Sequence, residues 1–327
     1  MPVFKSYFSP TLPFRNGHFN TLYRTLFMRN ACSYLRKRIP TWDHDFIDLD
    51  FSLVGSKNLV LLIHGLEGSS ASSYMTSTSK HLNSVGLDTV CFNLRGCSGD
   101  DNLLLGTYHS GKTEDVDFVV NHLSQKEEYE NILIIGFSLG GNLTLKYLGE
   151  QSENISSKIK GGIAISVPID ITSAEKEMDK LKNKLYIELF FKTMKKKLLE
   201  KAHKFPEYKL DKDKLFKATK LKHLEQLYTV PVFGFESPED YWLKASSKPY
   251  LSKIRKPTLL INAKDDSFLS AACFPFEEAQ NSDDFFFESP DFGGHVGFIT
   301  SLKPSENTWL EDRIERFIRE NIQINLL

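Results

Sequence analysis

Long apolar segments are missing from this 327-residue sequence. No stretch of about 18 uncharged apolar residues is present, which argues against a transmembrane helix. Residues 1–30 are interrupted by Pro10, Pro13, Arg15 and Asn16, so they lack the continuous apolar core of a secretory signal peptide. The expectation from these two absences is a cytoplasmic protein.

Cysteine is scarce, with four residues in the chain and no pair in C-x-x-C spacing. Without a secretory signal, this pattern indicates reduced thiols rather than a disulfide framework or a zinc site. An excess of charge of one sign is also absent, because the formal net charge at pH 7 is −1. A dedicated nucleic-acid-binding protein normally carries a basic excess, so nucleic acid is not an expected partner.

Short apolar runs and helical segments alternate along most of the chain. Five apolar, β-branched runs predict strands at residues 58–64, 88–94, 131–137, 162–167 and 257–262. They show no alternation of apolar and polar side chains, which is typical of parallel strands covered by helices on both faces. Helices are predicted at residues 72–85, 111–123, 141–149 and 306–320. This order predicts a mostly parallel, doubly wound α/β sheet.

Two further segments extend the predicted sheet. Residues 46–54 alternate apolar and polar side chains, which favours an antiparallel strand at the edge of the sheet. Residues 285–288 are also strand-like, and they precede a glycine-rich loop.

The pattern breaks at residues 170–250, where we predict a helical cap insertion within a single domain, 1–327. Residues 176–222 contain sixteen lysines against seven acidic residues. A basic amphipathic helix here could make weak peripheral contact with a membrane, but a solvated cap packing on the domain is favoured. Whether Met178, Phe190, Phe191 and Met194 line an acyl pocket or form the core of the cap stays open.

The strongest local signal is Gly136-Phe137-Ser138-Leu139-Gly140, between a predicted strand and a predicted helix. The motif alone is short and arises often by chance, but this context makes it specific. The glycines allow a sharp turn that exposes the serine hydroxyl, and the amides that begin the helix favour negative charge beside it. Ser138 is therefore the candidate nucleophile, with an ordinary glycine-rich turn as the less favoured alternative.

A serine hydroxyl is a weak nucleophile, so it needs a base and an orienting carboxylate. Around a strand–serine–helix turn, the chain order is serine, then acid, then histidine. Only His203, His223 and His295 follow Ser138, and the first two lie in the lysine-rich segment. His295, in the glycine-rich loop after residues 285–288, is the candidate base.

Two aspartates follow the predicted strand at residues 257–262. In the usual loop the acid comes a few residues after the strand, and a small residue and then an apolar residue follow it. Asp266, followed by Ser267 and Phe268, fits this pattern better than Asp265. We therefore favour Asp266 as the acid and expect Asp265 to be a turn-forming or capping residue.

The tetrahedral intermediate of acyl transfer carries an oxyanion, which needs preorganised N–H donors. One expected donor is the backbone amide of Leu139, directly after the candidate nucleophile. The second is expected in His64-Gly65-Leu66-Glu67-Gly68, after the first central strand, and the amide of Leu66 is the best candidate. The alternative is that His64 and Gly65 merely close a strand.

Several sequence blocks occur in an order that resembles the YheT-like family of α/β-hydrolases, nearly from end to end. They include Asn16-Gly17-His18, His64-Gly65-Leu66-Glu67-Gly68-Ser69, Asn93-Leu94-Arg95-Gly96-Cys97-Ser98-Gly99, Tyr108-His109-Ser110-Gly111 and the segments around Ser138 and His295. The resemblance implies the α/β-hydrolase fold and a triad of Ser138, Asp266 and His295. No catalytic role follows for Arg95 or for Tyr108, His109 and Ser110.

The predicted function is the cleavage of a small-molecule or lipid carboxylic ester through an acyl-enzyme. This chemistry implies no metal or organic cofactor. One alternative keeps the site but acts on a thioester or a long-chain lipid. Another is a non-catalytic binding protein on a hydrolase scaffold, although such a protein would usually have lost one of the site residues.

Overall fold

The computed structural model describes residues 2–28, 31–303, 305, 307–324 and 326. These residues form one nine-stranded sheet in the order β1-β9-β8-β7-β6-β4-β5-β3-β2. The strands are β1 (Val3–Phe4), β2 (Leu35–Pro40), β3 (Phe46–Ser52), β4 (Asn58–Ile63), β5 (Asp88–Asn93), β6 (Asn131–Phe137), β7 (Ile159–Ile165), β8 (Thr258–Ile261) and β9 (Phe285–Glu288). All pairs are parallel except β2 with β3 and β3 with β5.

The position of β3 corrects the sequence-based prediction. The strand is antiparallel, as expected, but it does not lie at the edge, because β2 pairs with its outer side. The sequence of β2 contains three cations and a proline, so it lacks the apolar run that would predict a strand. Its arginines lie opposite aspartates of β3, and Arg36–Asp50 and Arg38–Asp48 form two-bond ion pairs of 2.7–2.8 Å. Charge pairing replaces the apolar pattern that identifies the other strands.

Helices cover both faces of the sheet. They are α1 (Gly17–Phe27), α2 (Ser73–Ser84), α3 (Thr113–Ser124), α4 (Leu139–Glu150), α5 (Ile171–Met178), α6 (Lys184–Lys204), α7 (Lys212–Lys217), α8 (Leu221–Leu227), α9 (Thr229–Phe233), α10 (Pro238–Ala245), α11 (Phe276–Gln280) and α12 (Trp309–Phe317). Glu306, at the predicted start of the last helix, lies outside the described residues. A π-helical turn, Ile318–Ile322, continues α12.

Two apolar cores lie on opposite faces of the sheet. One contains side chains from α3 and α4, and the other contains side chains from α2 and α12. Burial on both faces explains why the central strands carry unbroken apolar runs. The predicted α/β-hydrolase fold class, a mostly parallel and doubly wound sheet, is confirmed.

The chain between β7 and β8 is helical and contains α5 to α10. Helices α5 to α9 share an apolar cluster that includes Ile187, Phe191, Leu215 and Leu224. Phe268, from the loop after β8, packs into the same cluster. The helices therefore contact the loop that carries the candidate acid. That residues 170–250 constitute a cap within one domain stays a prediction.

Candidate active site

The backbone turns sharply at Ser138, between the end of β6 and the start of α4. Its φ of 53° lies in the left-handed region, which L-residues rarely adopt. The flanking glycines are needed sterically, since a Cβ at Gly136 would collide with the carbonyl oxygen of Gly140, and one at Gly140 with that of Ile63. Helix α4 begins at Leu139, two residues earlier than predicted, so its free N-terminal amides lie directly beside the serine.

The structure brings Ser138, His295 and Asp266 into one hydrogen-bonded chain. The Oγ of Ser138 lies 2.9 Å from Nε2 of His295, and Nδ1 of the same ring lies 2.8 Å from Oδ2 of Asp266. Asp266 is 3% exposed, and its other oxygen accepts a hydrogen bond from the amide of Phe268 at 3.0 Å. This geometry suits a nucleophile, a base and an orienting acid.

Asp265 faces away from the imidazole and contacts the backbone of the histidine loop instead. Its Oδ1 accepts a hydrogen bond from the amide of Gly294 at 2.8 Å. Burial raises the pKa of this carboxyl to about 6. Asp265 therefore holds the loop that carries His295, while Asp266 accepts the hydrogen bond from the ring.

Helix α1 holds the histidine loop from the other side. The hydroxyl of Thr21 accepts a hydrogen bond from the amide of His295 at 2.8 Å, and Asn20 accepts one from the amide of Ile299 at 2.9 Å. The hydroxyl of Ser166, after β7, accepts a bond from the amide of Val296. Sequence reasoning missed this role of α1, and the signal was the family block that begins at Asn16.

The loop after β4 is fixed next to the serine. A Cβ on Gly65 would lie 3.1 Å from Cβ of Ser138, so this position has no room for a larger residue. The amide of Gly65 donates to the hydroxyl of Tyr74, and the amide of Glu67 donates to the hydroxyl of Tyr108, both at 3.0 Å. Leu66, the predicted oxyanion donor, lies between these two anchored amides.

A cavity of about 460 Å³ contains Ser138 and His295 in its wall. Leu66 and Leu139 line it, and so do Met178, Phe190 and Met194 from the helical segment. Phe191 is buried in the apolar cluster of that segment instead. Met178, Phe190 and Met194 thus line the cavity while they pack in or against the apolar cluster of the helices, whereas Phe191 lies in that cluster only.

Besides Glu67, the cavity wall contains the carboxyl groups of Glu175 and Glu225. Burial raises the pKa of Glu225 to about 7 and that of Glu175 well above its usual value. The nearby charge of Glu225 raises the pKa of Glu175 further. The carboxylate of Glu225 accepts a hydrogen bond from the indole of Trp242 at 2.8 Å. Both groups therefore tend to be protonated near neutral pH, inside a mainly apolar wall.

The other family blocks have structural partners away from the serine. Arg95 is buried and bonds Asp115 through two contacts of 2.7–2.8 Å, and it also reaches Asp43 and Asp45. It joins the start of β3 to α3. Tyr108, from the other family block, lines the cavity and anchors the loop at residues 65–68. Arg95 therefore supports the packing of α3, and Tyr108 supports the loop beside Ser138.

The described part of the chain contains neither a cluster of metal ligands nor a membrane-spanning helix. No group of three or more His, Cys, Asp or Glu side chains there is placed to hold a metal ion. No helix among residues 2–28, 31–303, 305, 307–324 and 326 is long and apolar enough to cross a membrane.

Comparison with known proteins defines the class of this chain. Residues 58–300 match the alpha/beta hydrolase fold family, which agrees with the sheet order and with the serine turn between β6 and α4. The chain therefore belongs to the α/β-hydrolase fold family.

Individual relatives narrow this class. YheT of Escherichia coli strain K12, provisionally assigned as an esterase, is 29% identical over 318 residues, which cover 94% of this chain and 91% of YheT. Phospholipase ABHD3 of Homo sapiens is 26% identical, with 98% and 81% covered. The esterase Pf2001 of Pyrococcus furiosus has a similar fold, with a TM-score of 0.58, 19% identity and coverage of 88% and 93%. The predicted resemblance to YheT-like hydrolases is confirmed.

Proposed function

We propose that this ester hydrolase cleaves carboxylic esters through an acyl-enzyme formed on Ser138. The observation that carries the proposal is the hydrogen-bonded chain Ser138–His295–Asp266, located in the wall of the cavity at the start of α4. Relatives named as an esterase, a phospholipase and a monoacylglycerol lipase support the reaction class.

In the proposed mechanism, Nε2 of His295 takes the hydroxyl proton as the Oγ of Ser138 attacks the ester carbonyl. Asp266 accepts a hydrogen bond from Nδ1–H and stabilises the imidazolium that forms. The tetrahedral intermediate collapses, and His295 gives the proton to the leaving alcohol. His295 then deprotonates a water molecule, which attacks the acyl-enzyme and releases the acid and free Ser138.

The amides of Leu66 and Leu139 are the proposed oxyanion donors. Leu139 is the first residue of α4, where an amide has no partner within the helix. Leu66 lies beside Ser138 in a loop that tyrosine hydroxyls hold on both sides. Preorganised donors of this kind stabilise the developing negative charge without a cost of reorganisation at the moment of reaction.

The proposed substrates are small-molecule or lipid esters, with residues 170–250 acting as a cap that limits the acyl group. Met178, Phe190 and Met194 give the cavity an apolar wall, and its volume is within the range of about 300–1,000 Å³ typical of small-molecule sites. The relatives named as lipases favour lipid acyl chains among these substrates. A thioester would enter the same site and undergo the same chemistry.

A fluorophosphonate probe and a set of p-nitrophenyl esters test the proposal. The wild-type protein should be labelled and should turn over esters, whereas Ser138→Ala should lose labelling and drop the rate by several orders of magnitude, about 10⁶ where the triad acts as a unit. Acyl thioesters of matched chain length measure the thioesterase alternative.

Two outcomes would contradict the proposal. One is a folded Ser138→Ala variant that keeps a tenth of the wild-type rate, because the nucleophile would then be another group. The other is an unlabelled wild-type protein without turnover on any ester, which would favour a binding protein on a hydrolase scaffold.

A further inference from the structure

Glu67 has an unusual conformation next to the proposed oxyanion donor. Its φ of 54° lies in the left-handed region, so neighbouring groups must hold it there. The hydroxyl of Tyr108 accepts a hydrogen bond from the amide of Glu67 at 3.0 Å and donates one to its carboxylate at 2.7 Å. The phenol of Tyr108 therefore holds both the backbone amide and the carboxylate of Glu67. Burial raises the pKa of Tyr108 well above its usual value, which keeps the phenol protonated and able to donate.

The carboxylate of Glu67 also binds a cation from the helical segment. Nζ of Lys197, on α6, lies 3.0 Å from both carboxylate oxygens of Glu67 and 3.4 Å from Sγ of Cys97. Burial raises the pKa of Cys97 to about 11, so its thiol is neutral near pH 7. Glu67 is consequently the charged partner of Lys197, although 130 residues separate the two along the chain.

The loop that carries Glu67 is otherwise attached to the sheet. Nδ1 of the buried His64 donates to the carbonyl oxygen of Gly65 at 2.8 Å, and Nε2 accepts from the amide of Leu94 at 3.1 Å. Burial lowers the pKa of His64 to about 4, so the ring is neutral and one nitrogen is free to accept. The start of the loop is thus fixed by the sheet, and the end after Leu66 is held by Tyr108 and Lys197.

We propose that Glu67, Tyr108 and Lys197 form a positioning unit that sets the amide of Leu66 for the oxyanion. The inference rests on the proposed function, because it concerns the same intermediate. It makes α6 part of the catalytic apparatus. When α6 is seated over the cavity, Lys197 holds Glu67, and the Gly65–Leu66 peptide, one residue earlier, presents the N–H of Leu66 to the site. Lys197 touches neither the triad nor the oxyanion, and it acts through Glu67.

A purely structural role of Lys197 and the proposed positioning role predict different effects on kcat and KM. The side chains of Lys197 and Glu67 are 31% and 7% exposed, so removal of the cation leaves a nearly buried carboxylate and should also cost some stability. Displacing an oxyanion donor, in contrast, affects the transition state more than the bound substrate. Removing the cation should therefore lower kcat while KM stays nearly constant, a split that a loss of stability alone does not produce.

The test compares Lys197→Met with the matched control Lys196→Met. Lys196 is adjacent on α6, its side chain is 74% exposed, and its partner Glu200 is also exposed. We expect Lys197→Met to lower kcat about tenfold, which is less than the ~10²-fold cost of losing a whole oxyanion donor. A trifluoromethyl ketone, which forms a tetrahedral oxyanion on the serine, should bind more weakly by the same factor. Lys196→Met should behave as wild type in both assays.

Two more variants locate the effect in the unit. Glu67→Gln keeps the shape of the side chain but removes its charge, and Lys197→Arg keeps the cation. We expect Glu67→Gln and Lys197→Met to cost no more together than either alone, because each breaks the same contact. Lys197→Arg should restore most of kcat.

The inference is overturned if Lys197→Met matches Lys196→Met in kcat and in ketone affinity. It is also overturned if the variant raises KM at constant kcat, which would mean that Lys197 contacts the substrate directly. A fall in kcat that follows a fall in unfolding temperature, without rescue by arginine, overturns it as well. Failure of the proposed function is distinguishable, because the wild-type protein would then lack both turnover and fluorophosphonate labelling that depends on Ser138.

Discussion

The side chain of Ser138 stands at a strained point of the backbone. A non-glycine residue in the left-handed region costs of the order of 1 kcal/mol or more, and such strain persists only where the surroundings enforce it. Here β6 ends and α4 begins on either side of the residue, and its amide is bound to the carbonyl oxygen of Ile165 at 2.8 Å. The strain lifts the hydroxyl out of the sheet toward His295.

The different contacts of Asp266 and Asp265 predict different losses of kcat when each residue is replaced by asparagine. Asp266→Asn should lower kcat by about 10⁴, because an amide stabilises the wrong tautomer of the imidazole. Asp265→Asn should cost far less, since an asparagine Oδ1 can still accept the bond from the amide of Gly294. Steady-state kinetics with a p-nitrophenyl ester measures both variants, and the reverse ranking would transfer the acid role to Asp265.

Stability measurements make Asp265→Asn an informative control. Burial raises the pKa of Asp265 to about 6 in the folded state, above its usual 3.8, so the folded protein binds this proton more tightly than the unfolded chain. Its contribution to stability is therefore present at low pH and is lost as the pH rises from about 4 to 6. Above pH 6, removal of the buried charge should leave Asp265→Asn at least as stable as wild type in urea unfolding.

The proposed triad could be derived from the sequence because a local rule points to its members. The G-x-S-x-G turn fixes the nucleophile, and chain order then leaves few candidates for the base and the acid. The contacts of Thr21 with His295 and of Lys197 with Glu67 could not be predicted in this way. They join residues that are 274 and 130 positions apart, and nothing in their local sequence indicates the partner.

Among the elements, β2 shows most clearly where an apolar pattern fails. Its residues Leu35–Pro40 include three consecutive cations, and Arg36 and Arg38 pair with Asp50 and Asp48 of β3. The start of α4 shows the opposite limit. Glycine disfavours a helix, so the glycines hid the first turn of α4 from the sequence-based prediction. They are required because a side chain on Gly140 would collide with the backbone of β4, and one on Gly141 with Val167.

The helical segment gives a prediction with a control built into α6. Phe190 and Met194 line the cavity, whereas Phe191 packs among the helices. Phe190→Ala and Met194→Ala should widen the cavity and shift the preferred acyl length toward longer or bulkier chains, with little change in unfolding temperature. A series of esters of increasing acyl length, measured as kcat/KM, tests this.

Phe191→Ala is the matched control on the same helix. Loss of a buried phenylalanine usually costs about 3–5 kcal/mol, so this variant should lose stability and keep its acyl preference. An unchanged chain-length profile in Phe190→Ala and Met194→Ala would contradict the proposed role of the segment as a cap over the site.

Across the whole molecule, the sheet brings distant parts of the chain together at one edge. Ser138 follows β6, Asp266 follows β8 and His295 follows β9, and the carboxyl ends of these parallel strands lie side by side. Helices α1 and α6 then approach this edge from outside the sheet, through Thr21 and Lys197. The loops after these strands carry the proposed reacting groups, and the two helices contact loops next to them.

The lysines of the helical segment are largely engaged within the molecule. Lys201 is buried and bonds Asn102 and the carbonyl oxygen of Leu104, and Lys195 bonds the carbonyl oxygens of two residues of its own segment. On the outer side of α6, Lys184 and Lys196 lie within 3.9 Å of Glu188 and Glu200. The lysine excess of the sequence is therefore not one continuous basic surface.

This charge distribution predicts little binding of the purified protein to anionic vesicles. Polybasic attraction is worth about 1 kcal/mol for each cation near the surface and falls off within a Debye length, so scattered and paired lysines gain little from it. Sedimentation with phosphatidylserine-containing vesicles at low and high salt measures the effect. The double variant Glu188→Lys and Glu200→Lys, which makes the outer side of α6 basic, should acquire binding that salt weakens, and it shows that the assay is sensitive enough. Tight, salt-sensitive binding by the wild-type protein would instead identify the helical segment as a membrane-contacting surface.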